Sequence, residues 1–152
     1  DVNVDMLAAR RRRRGHVLDV AAAEVVLAVE LLDLLDDHPD LVHSVTPEGR
    51  FLFANRAWCA ELGYDRVQLQ DLSVLDVVDP ADHGVEIQRI AHALSGARLP
   101  LARTRLRRRN GEALDVEGST VLHFMSGQPV GTITIMRPVA RTEDPDAEAT
   151  GP

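Results

Sequence analysis

The side chains that could do covalent chemistry are few and scattered in this chain. There is a single cysteine, Cys59, which excludes an intramolecular disulfide and a cage of several cysteines around a metal. Such cysteine usage is typical of a reducing compartment and predicts a cytoplasmic protein. The serines lie in no nucleophile-elbow context, and the glycines form no phosphate-binding loop. The sequence therefore predicts no catalytic residues, no metal site and no enzymatic activity within this chain.

Histidine is the more serious candidate for binding chemistry. Asp79-Pro80 marks the start of a predicted helix that carries His83 and His92. At 100° per residue, His83 shares a face with Ile87, Ile90 and Leu94, whereas His92 points about 180° away. If that apolar face lines a pocket, His83 can reach into it and His92 cannot. The plainer alternative is a polar His83 that faces water one turn into the helix.

Three arginines alternate along a predicted strand at Arg103, Arg105 and Arg107. The strand is followed by Asn110-Gly111, the preferred pair for a type I′ hairpin turn. Charge would protect this strand against unwanted pairing if it lies at the edge of a sheet, which is the simpler interpretation of the stripe. The alternative is a docking stripe for acidic side chains of a neighbouring helix, namely Asp19, Glu30, Asp33 or Asp37.

A helix is predicted over residues 16–38, where apolar residues recur three and four apart in an unbroken a/d seam. Between Gly15 and Gly49 there are eight acids and no base, and several of the acids lie on the opposite face of the helix. The seam is too short for a free-standing coiled coil, so the helix needs a partner surface, either its own domain or a second copy of itself. We expect the second copy, in a homodimer. The seam residues are Leu18, Ala21, Val25, Ala28, Leu32 and Leu35.

The distribution of charge limits the functions that the rest of the chain can have. The net charge is −7, and the acids within residues 17–35 argue against a membrane span. The five arginines of residues 10–14 are interpreted as part of a solvated, flexible segment, residues 1–15, rather than as a nucleic-acid site. Residues 142–152 form a predicted disordered acidic tail.

Between these segments the order of elements is two strands, small helices, one longer helix and three strands. This stretch, roughly residues 40–138 within a domain at 39–141, resembles a PAS domain. The motifs that carry the resemblance are Thr46-Pro-Glu-Gly49, Asn55-x-Ala57, Leu62-Gly63-Tyr64, Pro80-x-Asp82, Arg105-Leu-Arg-Arg-Arg-Asn-Gly111 and the final strand from Gly131.

The resemblance implies an α+β fold with a five-stranded antiparallel sheet in the order second, first, fifth, fourth, third. It also implies short helices that cup one face of the sheet, and an N-terminal helix that packs on the other face and often dimerises. The Asp-x-Thr signature that commonly precedes an output helix is absent, because Arg137-Pro138-Val139 stands in its place. We therefore expect a signal to leave through the N-terminal helix or the dimer interface.

The resemblance further implies a non-enzymatic sensory and dimerisation module of a larger signalling protein, here of a bacterial two-component type, with an effector domain in the same or another chain. The flavin-binding cysteine motif of light-sensing members is absent, so Cys59 is interpreted as an ordinary helix cysteine. The alternatives are a haem-based gas or redox sensor with His83 as the iron ligand, and a purely structural interaction module. A small apolar ligand is expected in a pocket lined by Phe53, Trp58, Leu62, Leu75, Ile87, Ile90, Leu94, Val121 and Ile133.

Overall fold

The structure, a computed structural model, describes residues 30–125 and 127–141. The predicted basic segment 1–15, the seam residues Leu18, Ala21, Val25 and Ala28, and the predicted tail 142–152 lie outside the described residues. Residues 30–36 are helical and are named α1 here. Among the described residues, no helix is long and apolar enough to cross a membrane.

Five antiparallel strands form one sheet in the order β2-β1-β5-β4-β3, which confirms the predicted order. Because side chains alternate between the two faces of a strand, the pairing register decides which residues share a face. The inner face carries Thr104, Val116, Thr120, Thr134 and Met136, and helices cover it. The strands are β1 (Leu41–Val45), β2 (Phe51–Ala54), β3 (Ala102–Arg107), β4 (Ala113–Met125) and β5 (Gln128–Pro138).

The helices between β2 and β3 begin and end where local chemistry predicts. Asn55 caps the first of them, and Gly63 ends it with a φ of 83°, a left-handed conformation that glycine adopts readily. Asp65 and Ser73 each form a capping box at the next two. The helices are α2 (Arg56–Leu62), α3 (Arg66–Leu69), α4 (Val74–Val77) and, after a 3₁₀ turn at Pro80–Asp82, α5 (His83–Leu94).

The hairpin between β3 and β4 forms, but not with the predicted type I′ turn. The amide of Gly111 donates to Arg108 O at 2.8 Å, so Asn110 and Gly111 are the third and fourth residues of the turn. The Asn110 side chain accepts from the amide of Glu112 at 2.9 Å. This local bond favours the longer loop over a two-residue connection.

The core lies between the inner face of the sheet and helices α2 to α5. Trp58 and Leu62 from α2 are completely buried there, together with Val74 and Val77 from α4. Phe51 and Trp58 pack edge to face, with ring centroids 5.2 Å apart. Burial of side chains of this size stabilises the fold by about 1.5–3 kcal/mol each.

Candidate functional site

A small cavity lies between α5 and the inner face of the sheet. It measures about 20 Å³ as space open to the centre of a water molecule. A space of roughly 10–15 Å³ on this measure is enough for one water, so the cavity is large enough for about one. Its lining combines apolar and polar side chains: His43, Val74, Val78, Glu86, Arg89, Ala102, Thr104, Leu106, Val116, Gly118, Thr120, Thr134 and Met136.

The predicted pocket residues do not line this cavity. Trp58, Leu62 and Ile90 are buried in the core, and Leu75 and Leu94 are partly buried against it. The side chains of Ile87 and Val121 are exposed at 53% and 57%. Ile133 is paired with Val121 and Ser44 on the outer face of the sheet. Phe53 is also paired with Ser44, and its ring centroid lies 6.0 Å from the Arg66 guanidinium.

The face of α5 that was predicted to line the pocket is not the face that is buried. The predicted face held the apolar residues Ile87, Ile90 and Leu94, but the helix is rotated so that Glu86, Ile90 and Ala93 are buried. Glu86 can be buried because Arg89 Nη1 donates to its carboxylate at 2.8 Å. The signal that sequence reasoning missed was this acid–base pair at i,i+3 spacing.

Polar groups on both sides of the cavity are joined by hydrogen bonds. Arg89 Nη1 also donates to Thr104 Oγ1 at 2.6 Å, which ties α5 to β3. Desolvation by burial raises the pKa of the Glu86 carboxyl, and the charge of Arg89 opposes that rise. On the sheet, Thr120 Oγ1 and Thr134 Oγ1 are 2.8 Å apart and share one hydrogen bond. The lining is therefore more polar than the predicted apolar pocket.

His43 contributes the least satisfied polar group of this lining. Its side chain is 5% exposed, and desolvation lowers its pKa from 6.5 to about 4, so the imidazole is neutral at physiological pH. Trp58 Nε1 donates to His43 Nδ1 at 3.2 Å. The ring proton of the neutral imidazole therefore lies on Nε2. Among the described residues, Nε2 has no hydrogen-bond partner.

Asn55 connects the same region to the end of α1. Its Oδ1 accepts from the amides of Val42 at 3.1 Å and Trp58 at 3.0 Å. Its Nδ2 lies 2.9 Å from Leu35 O, 3.2 Å from His38 O and 2.8 Å from Asp40 O. One buried side chain thus holds the C-terminal end of α1, the start of β1 and the start of α2.

Ion pairs reinforce this connection at the surface. Arg56 Nε donates to Asp36 Oδ2 at 3.0 Å, and Arg66 pairs with the other oxygen of Asp36. Arg56 Nη1 lies 3.4 Å from Asp37 Oδ1. The acids at the end of α1 therefore form ion pairs with the first residues of α2 and α3, and not with the arginine stripe.

The arginine stripe is engaged by acids close to its own strand. Arg105 binds Asp115 across the sheet with two hydrogen bonds of 2.7 and 3.1 Å. Arg107 Nη2 lies 2.7 Å from Asp79 Oδ2, and Arg103 Nε lies 3.4 Å from Glu117 Oε2. Asp115 and Glu117 are the cross-strand neighbours that the β3–β4 register supplies. Within this chain the stripe does not pair with Glu30, Asp33 or Asp37, and Asp19 lies outside the described residues.

The residues weighed for cofactor binding have other surroundings. His83 Nε2 lies 2.9 Å from Val78 O, and His83 does not line the cavity, whose volume of about 20 Å³ is far too small for haem. His92 is exposed. Cys59 is half-buried, and desolvation raises the pKa of its thiol. The described residues thus do not fit haem in this arrangement.

Comparison with known proteins shows what this fold is similar to. A family described as the PAS fold matches residues 35–144. Neuronal PAS domain-containing protein 3 from Mus musculus is 28% identical over 130 residues, which are 86% of this chain and 13% of that protein. The chain therefore spans only a small part of the length of this curated relative.

Two solved structures are similar to this chain over most of their own length. A domain of the sensory box sensor histidine kinase/response regulator from Geobacter sulfurreducens is 25% identical with a TM-score of 0.62, covering 73% of this chain and 93% of its own. The PAS domain of an HTR-like protein from Haloarcula marismortui is 21% identical with a TM-score of 0.60, covering 86% and 99%. Since the family match spans well over half of the sequence, and the strand order is the one the resemblance implies, the chain belongs to the PAS-fold family.

Proposed function

We propose that this domain is a non-enzymatic sensory module of a larger signalling protein, in which a change inside the cavity alters how α1 is held. The observation that carries the proposal is a continuous set of contacts from the cavity to α1. His43 lines the cavity and accepts from Trp58, while Asn55 caps α2 at Trp58 and reaches Leu35 O at the end of α1. A two-state arrangement of such an element is the usual physical basis of a switch.

The relatives support a signalling context. Two of the similar structures are described as domains of sensor histidine kinases, and an effector domain in the same protein would agree with the small share of the mouse relative that the chain spans. A two-component pathway in a bacterial cytoplasm is the setting we propose. The missing Asp-x-Thr signature favours output through α1 rather than through a C-terminal helix.

A cavity-filling substitution tests the coupling. Thr134→Leu adds bulk inside the cavity, whereas Gln88→Leu adds the same side chain on the exposed side of α5 and serves as the control. We expect Thr134→Leu to change amide hydrogen exchange at residues 35–42, and Gln88→Leu to leave it unchanged. Equal exchange in both variants and the wild type would contradict the proposal.

That negative result would favour the structural interaction module. The specific observation on its side is the small volume of the cavity, about 20 Å³, which makes the core nearly full. High-resolution density would then show a cavity without bound solvent or ligand.

We also propose a homodimer formed through the helix of residues 16–38. Its support in the described part is that Leu31, Leu32 and Leu34 are exposed at 49%, 40% and 72%. Exposed leucines in one short segment are typical of an interaction surface. Light scattering on the full chain tests this: Leu32→Asp should give a monomer, while the control Asp33→Asn should stay dimeric. A dimeric Leu32→Asp variant at micromolar concentration would place the interface elsewhere.

A further inference from the structure

We propose that the cavity recognises a small, uncharged ligand through a hydrogen-bond acceptor, and that His43 Nε2–H is the donor that binds it. The inference deepens the proposed function, since it names the ligand class of the cavity through which the domain would sense. It is carried by a buried side chain in the cavity lining whose remaining polar atom has no partner among the described residues.

The orientation of His43 makes this atom a donor. Because the indole N–H of Trp58 points to Nδ1, that nitrogen must accept, and the neutral ring can carry its proton only on Nε2. Contacts on the ring leave it little freedom: Phe51 and Trp58 both pack edge to face with it, with centroids 5.6 and 6.2 Å away. A buried N–H without a partner is costly, so an acceptor placed in the cavity gains more than an ordinary surface hydrogen bond would supply.

The other side chains that line the cavity disfavour a charged ligand. Glu86 and Arg89 form an ion pair with each other, and Arg89 also binds Thr104, so their charges are compensated within the wall. His43 is neutral. A charged ligand would lose its hydration without meeting a compensating charge, which is strongly unfavourable.

A second donor is available on the sheet. Thr120 and Thr134 share one hydrogen bond between their hydroxyls, so one hydroxyl proton of the pair is not used in that bond. A carbonyl oxygen, which accepts two hydrogen bonds, would suit His43 and this pair together. The cavity has room for about one water in the present arrangement, so a ligand larger than water requires an outward movement of α5.

The experiment uses the full chain with ¹⁵N-labelled histidine, followed by long-range ¹H–¹⁵N correlation spectra. The probes are acetone as the neutral acceptor, acetate as its charged counterpart and xenon as an apolar atom. We expect the His43 resonances to show the proton on Nε2, and acetone alone to shift the Nε2 resonance in a saturable way. A proton on Nδ1, or tighter binding of acetate or xenon than of acetone, would overturn the proposal.

Two variants test the donor itself. His43→Phe keeps a ring but removes the donor, and should weaken acetone binding roughly fivefold, the ratio that corresponds to one net hydrogen bond of about 1 kcal/mol. Thr134→Val removes a hydroxyl at nearly constant volume and remains informative if His43→Phe does not fold. Acetone affinity equal to wild type in either folded variant would show that the corresponding donor does not bind the ligand.

The same titration separates this inference from the proposed function. A shift at His43 Nε2 without any change in amide exchange at residues 35–42 would support the ligand class and contradict the coupling to α1. A change in exchange at those residues without a shift at Nε2 would support the coupling and contradict the ligand class.

Discussion

Replacing Asn55 by alanine should loosen the attachment of the end of α1 to the domain and destabilise the fold substantially. Asn55 is completely buried, and its Oδ1 is the acceptor for the amides of Val42 and Trp58. Loss of the helix cap at Trp58 costs about 1 kcal/mol. The Val42 amide loses its bond to Asn55 Oδ1 and becomes a buried N–H group without a side-chain partner. Such a group costs roughly a further 1–3 kcal/mol.

The magnitude expected for Asn55→Ala is therefore about 2–4 kcal/mol in the free energy of unfolding. The carbonyls of Leu35, His38 and Asp40 add less, because these bonds are only partly buried and water can replace the lost amide. Urea denaturation of the full chain measures the sum, provided that the slope of free energy against urea is unchanged.

Asn55→Ser is the matched comparison. A serine hydroxyl is an equally good helix cap but is too short to reach Leu35 O, so this variant should recover about 1 kcal/mol relative to alanine while amide exchange at residues 35–42 stays fast. The reasoning would be refuted if Asn55→Ala unfolded with a free energy within about 1 kcal/mol of wild type. It would equally be refuted if Asn55→Ser restored slow exchange at those residues.

Three further perturbations follow from the packing. The pKa of His43 in the folded protein, about 4, is below its ordinary value of 6.5, so on acidification the unfolded chain binds a proton first. The contribution of His43 to the free energy of unfolding should therefore be complete above pH 6.5 and fall towards pH 4. Urea denaturation of His43→Phe should show a weaker dependence of this free energy on pH. Gly118→Ala should destabilise by about 1–3 kcal/mol, because the added Cβ would meet the carbonyl oxygen of Ile135 and the Cβ of Met136 at 2.5 Å; the control Gly84→Ala has open space and should be neutral or stabilising in thermal unfolding. The Cys59 thiol should react with a disulfide reagent more slowly at neutral pH than a cysteine in an unfolded peptide, because burial raises its pKa, and a rate equal to that of the peptide would contradict this.

The elements of the fold were predictable where their signals are local. Asn55 as a helix cap, Gly63 as a helix end and Pro80 at the start of a turn each act on the next few residues, so their effect can be interpreted from the sequence. The strand order was predictable only through the resemblance to PAS domains, because the neighbours of a strand are chosen by contacts far apart in the chain. The comparisons and the sheet confirm that prediction.

The candidate site depended on tertiary structure. Periodicity alone predicted an apolar face on α5, but the buried face includes Glu86, whose charge is compensated by the ion pair with Arg89. The register of β4 and β5 turned Val121 and Ile133 outward, since a shift of one residue exchanges the two faces of a strand.

The role of His43 is the clearest example of a feature that could not be predicted from the sequence. In the sequence it is one histidine among six, in a short strand in which every residue is buried. Its role follows from a tryptophan 15 positions away that occupies Nδ1 and leaves Nε2 as a donor. The starts and ends of the helices between β2 and β3, and the family, could be predicted from the sequence, because they depend on local chemistry and on motif order. The type of the β3–β4 turn could not. Which polar groups share the cavity was decided by long-range packing, because burial and hydrogen-bond partners exist only once distant segments meet.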